Sequence, residues 1–181
     1  QGKLILGYNP LPPRDYAYAD TVPMGTAAIL AGLGGTAKTT LVMQLAVHGA
    51  LAKNLGLLRV SHFSSMLFLG EESVEERDRR FGAICKNLSS SERKDVSERV
   101  ICYPAAGEDI RLNLYVHQNL EETSLATNII ALAREHEKRC GLRVGLIVFD
   151  HARLVMSGDP NDASHVTQLT RIVTKIARET G

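Results

Sequence analysis

The chain has 181 residues, 44% of them hydrophobic, enough for one packed core and within the usual span of a single domain. Its formal net charge of +1 sets up no global field for nucleic acid or acidic lipid, although a local basic patch remains compatible with it. No apolar run approaches the roughly 20 residues of a membrane span, and Gln1-Gly2-Lys3 opens no signal peptide, so the expected location is cytoplasmic.

Cys85, Cys102 and Cys140 are far apart and lack a C-x-x-C spacing, which predicts free thiols in a reducing compartment and no zinc site. The start at Gln and the stop at Glu179-Thr180-Gly181 suggest a segment cut from a longer chain, incomplete at its C-terminus.

The first 24 residues include Pro10, Pro12, Pro13 and Pro23 and are expected to form an extended lead-in, with the folded core spanning 25–181. Thr26-Ala27-Ala28-Ile29-Leu30 is a short apolar run before glycines and predicts a buried strand. Leu41, Leu45, Val47 and Leu51, with interspersed alanines, predict a helix from about residue 38 to 53, closed by Gly56. Ser65–Leu69 predicts a second strand. Ser73 then has the form of a helix N-cap, with Glu76 as its capping-box partner, and that helix should reach about Asn87.

Arg99–Tyr103 predicts a third strand, stopped by Pro104, while residues 105–117 carry no decisive pattern. Helices are expected at 123–139 and 164–178, with a fourth strand at Val144–Phe149 between them and a polar loop at 157–163. Continuously apolar strands alternating with helices predict an α/β fold: a mostly parallel sheet with helices on both faces.

Gly32-Leu33-Gly34-Gly35-Thr36-Ala37-Lys38-Thr39 follows the phosphate-loop pattern G-x-x-x-x-G-K-[ST], except that Ala37 replaces the last glycine. Such a loop folds into a nest of backbone N–H groups around an anion, and the next helix adds the positive end of its dipole. Gly34, Gly35, Thr36, Ala37, Lys38, Thr39 and Thr40 are therefore the expected nucleotide contacts. Lys38 would reach the β- and γ-phosphates, Thr39 would ligate Mg²⁺, and Thr40 would contact the α-phosphate. The extra methyl group is tolerable only with a negative φ, and Ala37 is expected at the helix start with that conformation.

Val144–Asp150 is an apolar strand ending in an acid. Asp150 is expected to hold a water on Mg²⁺, at the carboxyl end of the strand beside the loop. Glu71 and Glu72 stand at another strand end. Adjacent acids point in different directions, so one can face the nucleotide; Glu71 is the candidate general base, with Glu72 next in line. His151 is expected to be a solvent-facing or hydrogen-bonded loop residue. Arg153 fits either a phosphate contact or solvent. Arg79 and Arg80 are expected to form surface ion pairs with Glu75, Glu76 and Asp78.

These elements, in this order, resemble the RecA-like core of RepA-type plasmid replicative helicases. The likeness runs over about residues 10–181. It is carried by Met24–Gly32 leading into the phosphate loop, Leu69-Gly70-Glu71-Glu72-Ser73, Ile147–Arg153, Ser157–Asp162 and Ala177–Gly181. The resemblance implies a RecA-like three-layer α/β/α fold, ATP and Mg²⁺ as ligands, and Glu71 as the catalytic glutamate. It also implies homo-oligomeric rings, up to a hexamer, that act on single-stranded DNA.

Ala37 departs from the consensus and supports an alternative class, a regulatory or scaffolding relative without hydrolysis, against which the retained Lys38, Thr39, Glu71 and Asp150 speak. A ParA/MinD-type partition ATPase would carry lysine where this chain has Leu33.

Overall fold

The structure is a computed structural model describing residues 13–117 and 119–180. The central sheet of the described residues joins β3 (Ser64–Leu69), β4 (Val100–Pro104) and β7 (Val144–Asp150). All three are parallel, in the order β4-β3-β7. Alternation along each strand divides the core in two, because successive side chains leave a strand on opposite faces. Met66, Phe68, Ile101, Ile147 and Phe149 pack toward α4 (Ser124–Cys140) and α5 (Ala163–Thr180). Leu67, Leu69, Val100, Leu146 and Val148 pack with Met43 and Ala46 of α1 (Lys38–Leu51), and Phe81 of α2 (Val74–Ile84) joins them. The result is the expected three-layer α/β/α arrangement.

Phe63, just before β3, is buried between α1 and β7. A Cβ on Gly49 would stand 2.3 Å from its ring, and one on Gly145 2.6 Å. These two glycines are small because the ring occupies the space a side chain would take. Tyr18 meets Phe63 edge-on at 5.5 Å. It lies in β1 (Tyr16–Tyr18), which pairs antiparallel with β2 (Val22–Pro23). Of the Pro-rich lead-in, residues 1–12 lie outside the described residues, as does Gly181 at the far end.

The predicted strand at 26–30 is not formed. Residues 26–33 lie outside any strand, with Ile29 87% and Leu30 49% exposed. Two of those five residues are alanine, a poor strand former, and the Thr26 hydroxyl turns back to donate to the Pro23 carbonyl at 2.8 Å.

The predicted helix at 73–87 ends at Ile84, and its capping box is half made. Ser73 accepts from the Glu76 N–H at 3.3 Å, while the Glu76 carboxylate turns to Arg79 and Arg80. A complete capping box, Ser89 with Glu92, starts α3 (Ser90–Arg99), a helix the apolar pattern does not signal because Val96 is its one buried residue.

The unassigned stretch after β4 leads into a hairpin, β5 (Asn113–Val116) with β6 (Asn119–Glu122). Asn113 is fully buried. Its amide nitrogen donates to Gln168 of α5 at 2.7 Å, and its oxygen accepts from the Ser157 N–H at 2.8 Å.

Among the described residues, no helix is long and apolar enough to cross a membrane. The three cysteines are free. Burial pushes the Cys102 thiol up to about 12, which keeps it neutral and unreactive near pH 7.

Candidate active site

Parallel strands present their carboxyl ends on one side of a sheet, where ligands of open α/β folds sit. Here the register pairs Leu69 of β3 with Asp150 of β7. The Gly70 N–H donates to the Asp150 carbonyl at 2.8 Å. The chain therefore leaves both strands side by side, with Glu71 and Asp150 at the same rim.

The phosphate-loop residues lie at this rim as well. The Thr39 hydroxyl, in the first turn of α1, donates to Asp150 Oδ2. The loop before α1 is exposed from Ala31 to Ala37. The Thr36 hydroxyl donates to the Leu33 carbonyl at 2.8 Å. Lys38 Nζ donates to the carbonyls of Gly32 and Leu33, both at 2.8 Å. The ammonium thus closes the loop on itself. A Cβ on Gly32 would approach the Thr36 hydroxyl to 3.1 Å and the Lys38 side chain to 3.6 Å.

The α1 N-terminus has no side-chain cap and no acid in its first turn. Its unpaired N–H groups and the positive dipole end favour an anion there.

Ala37 corrects an expectation. It is the N-cap of α1 with φ 58° and ψ 27°, in the left-handed region and not at negative φ. Gly35, at φ 74°, shares that region. Two left-handed residues turn the chain sharply into the helix, and an alanine pays about 1–2 kcal/mol for that conformation. Ala37→Gly is therefore expected to raise stability by roughly 1 kcal/mol and to leave ATP affinity equal or tighter. Chemical denaturation and nucleotide titration check it. A fall in either would mean that the methyl group makes contacts worth more than the strain.

The adjacent acids separate as expected of neighbours in a turn. Glu72 is buried, with one carboxylate oxygen 3.2 Å from Arg80 of α2. Its other oxygen has no hydrogen-bond partner in the described structure. Glu71 is open to solvent, 72% exposed at its side chain, and its Oε1 lies 3.0 Å from His151 Nε2. His151 is thus hydrogen-bonded and not merely solvated; the peptide bond joining it to Asp150 is cis. Arg153 is exposed on the short 3-10 turn Ala152–Leu154.

Arg79 and Arg80 both pair with Glu76 as expected, Arg80 also binds Glu72, and Asp78 pairs with Arg77 in place of the expected partners. Thr40 lies in α1 one residue beyond Thr39.

Gly70 is held bare by a packing constraint that the spacing did not reveal. A Cβ there would lie 2.4 Å from Leu154 Cδ1 and 3.3 Å from Ile110 Cδ1. Leu154 therefore seats the turn after Asp150 directly on the turn that carries Glu71.

Among the described residues no group of three or more His, Cys, Asp and Glu side chains forms a metal cage. A hydroxyl and a carboxylate in contact are nevertheless hard oxygen donors, and Mg²⁺ is commonly held by one or two carboxylates together with substrate phosphates. The Thr39–Asp150 pair fits that ion. The rim as a whole brings together the uncapped N-terminus of α1, the Lys38 ammonium, the Thr39–Asp150 pair and the Glu71 carboxylate held by His151.

Residues 6–181 match a protein family described as an AAA domain. No curated protein matches the chain.

Proposed function

Because the chain belongs to this AAA-domain family of P-loop ATPases, we propose that it binds ATP on the loop Gly32–Thr39 and hydrolyses it. The contact between Thr39 and Asp150 carries this reading, because it joins the phosphate loop to a strand-end acid 111 residues away. Gly34, Gly35, Thr36 and Ala37 contribute backbone N–H groups to the phosphates, and Thr40 contributes at the α-phosphate. Lys38 leaves the carbonyls of Gly32 and Leu33 for the β- and γ-phosphates. Thr39 and, through a water, Asp150 would hold Mg²⁺, which would supply positive charge against the phosphate oxygens. Glu71 accepts the proton of the attacking water.

The resemblance to replicative helicases supports a finer reading, an ATPase of ring-forming subunits, up to a hexamer, acting on single-stranded DNA. The left-handed Ala37 favours a second reading, a regulatory relative that binds nucleotide without turnover. Steady-state ATP turnover by the full-length protein, with and without single-stranded DNA, separates them. Turnover stimulated by DNA is the expected result. Tight binding with no turnover in either condition would favour the regulatory relative.

A further inference from the structure

We infer that His151 is a positioning residue for Glu71, an assignment that rests on the proposed hydrolysis. Glu71 stands at the end of β3, in a turn, with a side chain open to solvent. A carboxylate placed there has several staggered rotamers open to it. One described hydrogen bond fixes it, the contact between His151 Nε2 and Glu71 Oε1 at 3.0 Å. A carboxylate only accepts, so the imidazole carries its proton on Nε2 and donates it.

The backbone around this contact is well held on both sides. Gly70 donates to the Asp150 carbonyl, which ties the two strand ends together. The Leu154 side chain occupies the space over Gly70 that a Cβ would fill, and the Leu154 N–H donates to the His151 carbonyl at 3.0 Å. The turn bearing His151 is thereby docked on the turn bearing Glu71, and the imidazole spans the gap between them.

The contact contributes little to stability. Both side chains are substantially exposed, at 41% and 72%, and exposed pairs of this kind are worth little to a fold. What remains is orientation: the bond holds Oε1 toward β7 and leaves Oε2 free to accept a proton from water. In phosphoryl transfer the protein acts chiefly through positioning and electrostatics, so a carboxylate released to other rotamers loses rate, not affinity.

The test uses the full-length protein with MgATP and four variants: His151→Phe, His151→Gln, Glu71→Gln, and His151→Phe combined with Glu71→Gln. Single-turnover rates at saturating ATP and ATP affinities are measured for each, with thermal unfolding as a check on folding. His151→Phe is expected to lower the rate roughly ten- to a hundredfold at unchanged affinity. His151→Gln places an N–H donor near the same position and should restore the rate to within a few-fold. In the Glu71→Gln background, His151→Phe should cost nothing further, because there is no base left to orient.

An undiminished rate in His151→Phe would overturn the assignment. So would equal losses in Phe and Gln, an additive loss in the double variant, or weakened ATP affinity, which would make His151 a nucleotide contact. Each of these leaves the hydrolysis reading standing. A Glu71→Gln protein with full turnover would instead remove the base itself, and the positioning role with it.

Discussion

Lys38→Ala is expected to weaken ATP binding at least a hundredfold. Its ammonium is the one charged side chain inside the loop, and it already donates to two loop carbonyls at 2.8 Å. In the proposed complex a phosphate would replace those carbonyls as the acceptor, turning neutral acceptors into anionic ones. Hydrogen bonds between charged groups are worth roughly 1.5–3 kcal/mol each, and two of them amount to about two to four decades in affinity. The fold should survive the change, because Lys38 opens α1 and alanine is the strongest helix former. Isothermal titration with MgATP reads the effect. Unchanged affinity in a folded variant would place the nucleotide elsewhere on the molecule.

Glu71→Gln is expected to lower turnover by about 10²–10⁴-fold, the range for loss of a general base, while ATP affinity stays as it was. The amide has the shape of the carboxylate and still accepts from His151 through its oxygen, so the geometry of the turn is kept. What disappears is the capacity to take a proton. Glu72 is a poor substitute: its carboxylate is buried and paired to Arg80, and reaching the rim would break that pair. Removing the Glu72 charge would strand Arg80 in part, so its variants should show loss of stability before loss of chemistry. Single-turnover hydrolysis measured beside a binding titration separates the two effects; full turnover in Glu71→Gln would refute the assignment of the base.

The parts of the site that lie close together in the chain are legible in the residues alone. Loop 32–39, the helix after it and the apolar strands ending at Leu69 and Asp150 follow from glycine placement and from runs of like side chains. The Ser73 N-cap is local too, spanning three residues. The misreadings have a common origin in what those residues meet later. Residues 26–30 have the composition of a buried segment but form no ladder. Ala37 takes a left-handed turn that its side chain disfavours, because the path from Gly35 into α1 sets the dihedral. β5 and β6 pair as a hairpin held by Asn113 on Gln168 and Ser157, partners 55 and 44 residues away.

By itself, then, the order of residues determined the α/β alternation, the place of the glycine-rich loop before α1 and which two strands lead to acids, since each depends on neighbours within a few positions. Tertiary structure alone decided that β3 lies between β4 and β7, that Glu71 faces His151 while Glu72 turns to Arg80, and that Gly70 must stay bare beneath Leu154. Those outcomes follow from strand register and from side chains meeting across separations as large as 84 residues, from Gly70 to Leu154, and no local propensity encodes such meetings.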